Sequence, residues 1–188
     1  MTSISIIGRG TMGQAIQSVF ERAGASVQLV GRDDAATGDV AVLAVPYAAL
    51  ADIAGQRQAE LAGKIVVDIT NPVDFATFDS LTVAPDASAA AELASALPSS
   101  HVLKAFNTNF GATLASGVAG DQPTTVLVAG DDADAKASLI AAITPSGVKA
   151  LDAGSLKRAR ELEAIGFLQI SLAASEKIGW TGGFAVVA

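Results

Sequence analysis

The chain has 188 residues, 51% of them hydrophobic and 16% charged, with a net charge of −7, which is ample for one large core and predicts one domain over 1–188. The acid excess, with no basic stretch to offset it, excludes general binding to a nucleic-acid backbone. With no cysteine and a single histidine, His101, disulfides, thiol catalysis and Cys-based metal sites are excluded, and no metal site is expected.

The chain enters a strand by residue 3, which leaves no room for a signal peptide. No uncharged apolar run reaches the roughly 18 residues of a membrane span. A cytoplasmic protein without membrane contact is the expectation. In Ser3 to Ile7, the residues Ile4, Ile6 and Ile7 read as a buried strand. Gly8-Arg9-Gly10-Thr11-Met12-Gly13 follows as a G-x-G-x-x-G turn. Met12, Ala15, Ile16, Val19, Phe20 and Ala23 then recur at helical spacing up to Gly24. Strand, glycine turn and helix in that order form a dinucleotide-binding fingerprint. In such a turn Gly8 makes the tight bend, Gly10 lets backbone approach a pyrophosphate, and Gly13 allows close helix-to-strand packing. The helix N-terminus offers free N–H groups and partial positive charge to the phosphates.

Val27, Leu29 and Val30 predict the second strand, and Val40 to Val45 the third. A helical crossover between parallel strands takes about a dozen residues, so an extended or one-turn link is expected at a shortened edge of the sheet. Beyond Pro46 the rhythm is regular. A helix from about Tyr47 to Leu61 precedes an unbroken apolar strand, Ile65 to Ile69, stopped by Thr70-Asn71-Pro72. Residues 73–85 read as an irregular loop tethered by Phe75, Phe78 and Leu81. An Ala-rich helix capped by Asp86 or Ser88 ends before Pro98, and a fifth strand runs from Val102 to Phe106. A sixth, Thr125 to Ala129, leads to a helix capped by Asp131 and Asp132 that extends through Ile143. A seventh strand, Val148 to Leu151, is followed by a long helix from about Leu156 to Ile178. Strands apolar on both faces, alternating with helices, predict an α/β fold: a Rossmann-type, doubly wound, mostly parallel sheet of about seven strands.

In such sheets ligands sit at the carboxyl ends of the strands, near the switch in strand order. Gly8 to Gly13, Arg32, Pro46-Tyr47, Asn71-Pro72 and Asn107 to Asn109 gather there. A cofactor with a free ribose 2′-OH meets an Asp or Glu near the end of the second strand, about 20 residues past the fingerprint. That place holds Val30 and Gly31, and Arg32 comes next. An Arg there suits a 2′-phosphate through charge-assisted hydrogen bonds, with Arg9 able to stack or pair nearby. Asp33 would reach a ribose hydroxyl only in a tighter turn. NADP(H) is therefore expected, with Gly31 and Arg32 on its adenosine side.

With these residues placed, the chain resembles the NADPH-dependent F420 reductases (coenzyme F420-dependent NADP oxidoreductases), and is similar to the nucleotide-binding domains of membrane ferric reductases of the STEAP type. The resemblance rests on the glycine turn, Val45-Pro46, Thr70-Asn71-Pro72, Lys104-Ala105-Phe106-Asn107-Thr108, Val128-Ala129-Gly130-Asp131-Asp132, Asp152-Ala153-Gly154 and Ala159-Arg160-Glu161-Leu162-Glu163. It implies hydride transfer between NADP(H) and the deazaflavin F420 above the carboxyl edge of the sheet. It further implies that Gly8, Arg9, Gly10, Thr11, Met12 and Gly13 hold the pyrophosphate and Arg32 the 2′-phosphate. Val45, Pro46, Asn71 and Pro72 would line the nicotinamide side, and Phe106, Asn107 and Thr108 would face the acceptor. The link after Arg32 is shorter than in the F420 enzymes, and Asn107 stands where archaeal members carry histidine. The acceptor therefore stays open between F420, another flavin, a quinone and a ferric chelate, and a non-catalytic NADP(H)-binding sensor is the alternative.

Hydride transfer between two cofactors needs alignment more than acid–base groups, so no catalytic side chain is assigned. The last helix opens with Lys157, Arg158 and Arg160, where the macrodipole disfavours cations. Glu161 and Glu163 offset them, or an external anion or a partner's acid does. From Ala164 onward the helix is apolar nearly all round, so it must be buried. Residues 155–188 are expected to complete the core, the acceptor pocket or a homodimer interface.

Overall fold

Strand β1 (Ser3–Ile7) and helix α1 (Thr11–Arg22) flank the glycine turn. The computed structural model describes residues 2–187. α1 presses Gly13, Ala15, Ile16, Val19 and Phe20 onto the sheet, as its apolar spacing dictates. β2 (Ser26–Val30) pairs in parallel with one side of β1, and β3 (Val40–Leu43) with the other. The link between them carries no helix and crosses β1 in contact. A Cβ on Gly38 would lie 2.7 Å from the Ser5 nitrogen, so only glycine lets the link pass so close. Ser5, buried within a strand, is satisfied by the same link, accepting from the Gly38 N–H at 2.9 Å.

A 3₁₀ turn at Tyr47–Ala49 leads into α2 (Leu50–Leu61), and β4 (Ile65–Asp68) follows. The expected unbroken apolar strand is a misreading, because Asp68 stands inside it with its side chain fully buried. The aromatics do not tether the next loop either. Phe75 and Phe78 meet edge to face, but Phe75 is 61% exposed. The loop is fixed instead by the Val73↔Leu81 bridge and by Asp74, whose carboxylate accepts from the Ala76 N–H and the Thr77 hydroxyl.

Ser88 caps α3 (Ala89–Ala96) through the Ala91 N–H, and β5 (His101–Lys104) follows. The short α4 (Gly111–Ser116) and a hairpin of β6 (Val118–Ala119) and β7 (Gln122–Pro123) replace a full crossover. β8 (Thr125–Gly130) consequently joins β5 antiparallel, over Leu103↔Gly130 and Lys104↔Ala129. α5 (Ala133–Ile143), capped by Asp132, returns the chain to β9 (Lys149–Gly154), parallel to β8. Asp131 accepts instead from the Leu156 N–H and opens the 3₁₀ turn Leu156–Arg158 that precedes α6 (Ala159–Ala174).

The seven-stranded sheet runs β2-β1-β3-β4-β5-β8-β9, the expected doubly wound, mostly parallel Rossmann type. Alternation along each strand feeds two cores. Ile4, Ile6, Val42, Val67 and Leu103 face α1 and α5. Ile7, Ala41, Leu43, Val66 and Val102 face α2 and α3.

α6 departs from expectation twice. It ends at Ala174, because Glu176 turns to φ 59° and the N–H groups of Lys177 and Glu176 close onto the carbonyls of Leu172 and Ala173. Nor is it buried all round. Leu162, Glu163, Gly166, Gln169 and Ala173 face inward, while Leu168 is 53% exposed. Of the offsetting acids, Glu161 does pair with Arg158 at 3.1 Å, but Glu163 points into the interior.

Candidate functional site

The glycine turn is a cradle that side chains would fill. Gly8 has φ 118°, and a Cβ there would lie 2.1 Å from the Ala44 carbonyl oxygen. A Cβ on Gly13 would lie 2.3 Å from the Gly8 oxygen, whereas one on Gly10 meets nothing within 4 Å. Gly10 stands at the N-cap of α1, which has no side-chain cap and no acid in its first turn. The leading N–H groups of the helix are thus left for an anion. The residues present fit a dinucleotide pyrophosphate.

On the β2 side of this turn lies a cavity of about 500 Å³, with Gly8, Arg9, Gly31, Arg32, Val45 and Arg57 in its walls. The expectation that no acid serves this end of β2 is corrected. Asp34, not Asp33, reaches it, accepting from the Gly31 N–H at 2.9 Å and pairing with Arg9 at 2.6 Å. Gly31 makes the room, since a Cβ there would lie 3.0 Å from the Asp34 carboxylate and 3.1 Å from Arg9 Nη2. Arg57, on α2, went unremarked in the sequence. It is buried, and it donates to the carbonyls of Gly31, Arg32 and Asp34 and to Glu60.

The second cavity, about 490 Å³, opens on the other side of the turn. Gly10, Thr11, Met12, Val45, Pro46, Asn71 and Asn107 line it, and Phe75, Phe110, Ile170 and Trp180 add an apolar wall. Asn71 and Asn107 hold each other. Asn107 Nδ2 donates to Asn71 Oδ1 at 2.9 Å and to the Leu162 carbonyl on α6 at 2.8 Å, while Asn71 Nδ2 donates to the Asn107 carbonyl. Gly166 permits this contact, because a Cβ there would lie 2.3 Å from Asn71 Oδ1.

Gly13 is packed against the Gly8 backbone, as its expected part in helix-to-strand packing requires. Three residues placed on the cleft by sequence lie behind it. Pro72 is buried, with its carbonyl accepting from the Thr82 N–H. Phe106 takes φ 63° just past β5, a strained turn that drives its ring into the core against Phe20, 6.0 Å away. Thr108 is buried under α6, where its carbonyl accepts from Gln169. Strand ends do point at the cleft, but a left-handed residue there reverses which side chains arrive.

Beneath the asparagines lies a charged triad absent from the sequence reading. Lys104 Nζ bridges Asp68 at 2.8 Å and Glu163 at 2.8 Å and donates to the Thr70 carbonyl at 2.6 Å, with all three side chains fully buried. Glu163 also accepts from the Ala89 and Ala90 N–H groups that open α3. Burial pushes the Glu163 carboxyl above the ordinary carboxylate range, against the pull of Lys104. A signal was available. Asp68 and Lys104 interrupt apolar runs on neighbouring strands at the same register position.

Tyr47 stands at the edge of the second cavity and donates to Glu92 at 2.6 Å. That bond, helped by burial, pushes its hydroxyl up to about 12.

Residues 16–72 match the family described as NADP oxidoreductase, coenzyme F420-dependent. The F420-dependent NADP reductase of Methanocaldococcus jannaschii is 34% identical over 175 residues, which span 88% of this chain and 77% of that one. Metalloreductase STEAP3 of Rattus norvegicus is 38% identical over 126 residues, 67% of this chain and 24% of that protein. A solved structure from Arthrobacter sp. FB24 covers 100% of both chains with a TM-score of 0.86 at 24% identity, a likeness of fold. With the archaeal reductase matched over most of both lengths, the chain belongs to the family of coenzyme F420-dependent NADP oxidoreductases.

Proposed function

We propose that this chain binds NADP(H) across the glycine turn and exchanges hydride with coenzyme F420 in the apolar cavity beyond it. The observation that carries this reading is the meeting of two cavities at one wall. Gly8 and Arg9 face the first, Gly10 and Thr11 the second, and Val45 lines both. Arg9, Gly31 and Arg32 would hold the adenosine end, and Thr11, Val45, Pro46, Asn71 and Asn107 the nicotinamide end. The cofactor supplies the hydride; the chain supplies alignment and keeps water out.

The second cavity favours a cofactor-like acceptor. No Asp, Glu, Lys or His is among the residues lining it, and Tyr47 is held by Glu92. Carbonyl reduction needs a general acid for the alkoxide it forms; hydride exchange between two ring cofactors forms none. Phe110 and Trp180, with ring centroids 5.0 Å apart and planes tilted by 53°, give an aromatic wall against which a planar acceptor can pack. The reading includes one functional domain, a cytoplasmic setting and a homodimer formed over the exposed side of α6 and the tail, where Leu168, Trp180 and Phe184 are exposed.

The test is to mix the protein with NADPH and follow F420 reduction, with FMN, FAD, a quinone and a ferric chelate as comparators. Turnover with F420 above the others is expected. Tight NADPH binding with no F420 reduction would overturn the acceptor assignment. A monomer in sedimentation at micromolar concentration would overturn the dimer.

A further inference from the structure

We propose that Arg57 is a positioning residue for recognition of the NADP 2′-phosphate, acting by pinning the loop that presents Arg32. The inference rests on the NADP reading above. Residues 31–36 follow β2 without helical or strand pairing, at the edge where the crossover helix is missing. A free loop there would have to be ordered on binding, at an entropic cost that weakens affinity. Arg57 removes that freedom. Nη2 donates to the carbonyls of Gly31 at 3.1 Å and Arg32 at 2.7 Å, and Nη1 donates to the carbonyl of Asp34 at 2.9 Å.

Glu60 completes the clamp. It pairs with Arg57 Nη1 at 2.9 Å and accepts the Ala36 N–H with the same oxygen. Both terminal nitrogens of Arg57 are thus occupied and its charge is neutralised within α2, so it acts through the loop rather than on the ligand. The peptides here are trans. Carbonyls of Gly31 and Arg32 drawn toward α2 therefore turn the N–H groups of Arg32 and Asp33 the opposite way. Three carbonyls are gathered by one rigid planar fork, a geometry that a lysine point charge does not reproduce.

The test is calorimetric binding of 2′,5′-ADP and 5′-ADP, two fragments that lack the nicotinamide and so leave the acceptor question aside. Wild type is compared with R57M, R57K, R32A and R32A/R57M. R57K retains a cation for Glu60, so it carries the test where R57M is poorly folded. Wild type prefers 2′,5′-ADP, and both Arg57 variants weaken that ligand about tenfold while changing 5′-ADP less than about twofold. In the R32A background, R57M adds less than about twofold, because the two residues act as one unit. Equal losses for both fragments, or a full additional loss on R32A, would overturn the inference alone. No wild-type preference for 2′,5′-ADP would overturn the NADP reading and the inference with it.

Discussion

On the β2 side of the glycine turn, Arg9 and Asp34 pair with side chains 60% and 48% exposed; on the far side, Lys104 sits between Asp68 and Glu163 with all three side chains at 0%. Both sites are built on ion pairs, but the first stands at the rim of a cavity whereas the second lies buried beneath the asparagines that line the other. An exposed pair gains little and exchanges partners readily, since water screens it whether made or broken. A buried pair cannot open without leaving a charge stranded in a medium of low dielectric. In the proposed binding mode, the adenosine side is thus built to trade an internal carboxylate for a ligand phosphate. The nicotinamide side is built not to move. That division suits hydride exchange, where alignment of the reacting rings carries the rate. The rigid side also explains α6: the triad fixes Glu163, Asn107 holds the Leu162 carbonyl, and Ile170, further along the same helix, lines the cavity.

The largest expected effect comes from breaking the dry side. Lys104→Met leaves two buried carboxylates without their cation and is expected to destabilise the fold by about 3–5 kcal/mol, read by urea denaturation. The double variant Lys104→Met/Glu163→Gln, which removes one of those charges, recovers part of the loss. A single-variant loss under about 1 kcal/mol, as for an exposed pair, would erase the contrast between the two sides.

The sequence made local patterns visible on both sides of this comparison and hid the contacts that the tertiary fold makes. The fingerprint, the strand rhythm, the shortened edge and the asparagines at the ends of β4 and β5 were legible, because each is a local pattern of period, turn chemistry or spacing. Asp34 was missed because it reaches the end of β2 only by the path of a loop that folds back on Gly31. Arg57 reads as an ordinary helix residue, and it is buried only because the link at the shortened edge lies against α2. Asp68 and Lys104 are 36 residues apart, and their meeting depends on strand register. Phe106 looked like a cleft residue because it ends an apolar run; its positive φ, a tertiary outcome, decides otherwise. The all-round apolar pattern of α6 predicted burial, yet one side stays exposed in the single chain.

A smaller effect separates scaffold from contact within the turn itself. Gly13→Ala places a methyl 2.3 Å from the Gly8 oxygen. Backbone must shift, and a loss of about 1–3 kcal/mol is expected, as for overpacking. Gly10→Ala meets nothing within 4 Å, so its stability should match wild type within about 0.5 kcal/mol. Its methyl nonetheless borders the second cavity, proposed to take the nicotinamide, so NADPH affinity, measured by fluorescence titration, should fall. Gly10→Ala with unchanged affinity would remove the turn from the binding surface.

The smallest effect on stability belongs to the wet side. Asp34→Asn keeps an oxygen to accept the Gly31 N–H and deletes only the charge facing Arg9. With both partners about half exposed, urea unfolding should shift by less than about 1 kcal/mol. Binding should respond in the opposite sense to damage. The carboxylate holds Arg9 at 2.6 Å at the rim of the first cavity, where in the proposed binding mode an incoming 2′-phosphate competes with it for that guanidinium. Removing the charge therefore tightens NADPH while leaving NADH, which carries no 2′-phosphate, without that gain. Raising the salt should shrink the difference, because screening weakens exposed charges first. Weaker NADPH binding by Asp34→Asn would mean that Asp34 supports the cofactor rather than competing with it, and the adenosine side would then be fixed in the same way as the triad.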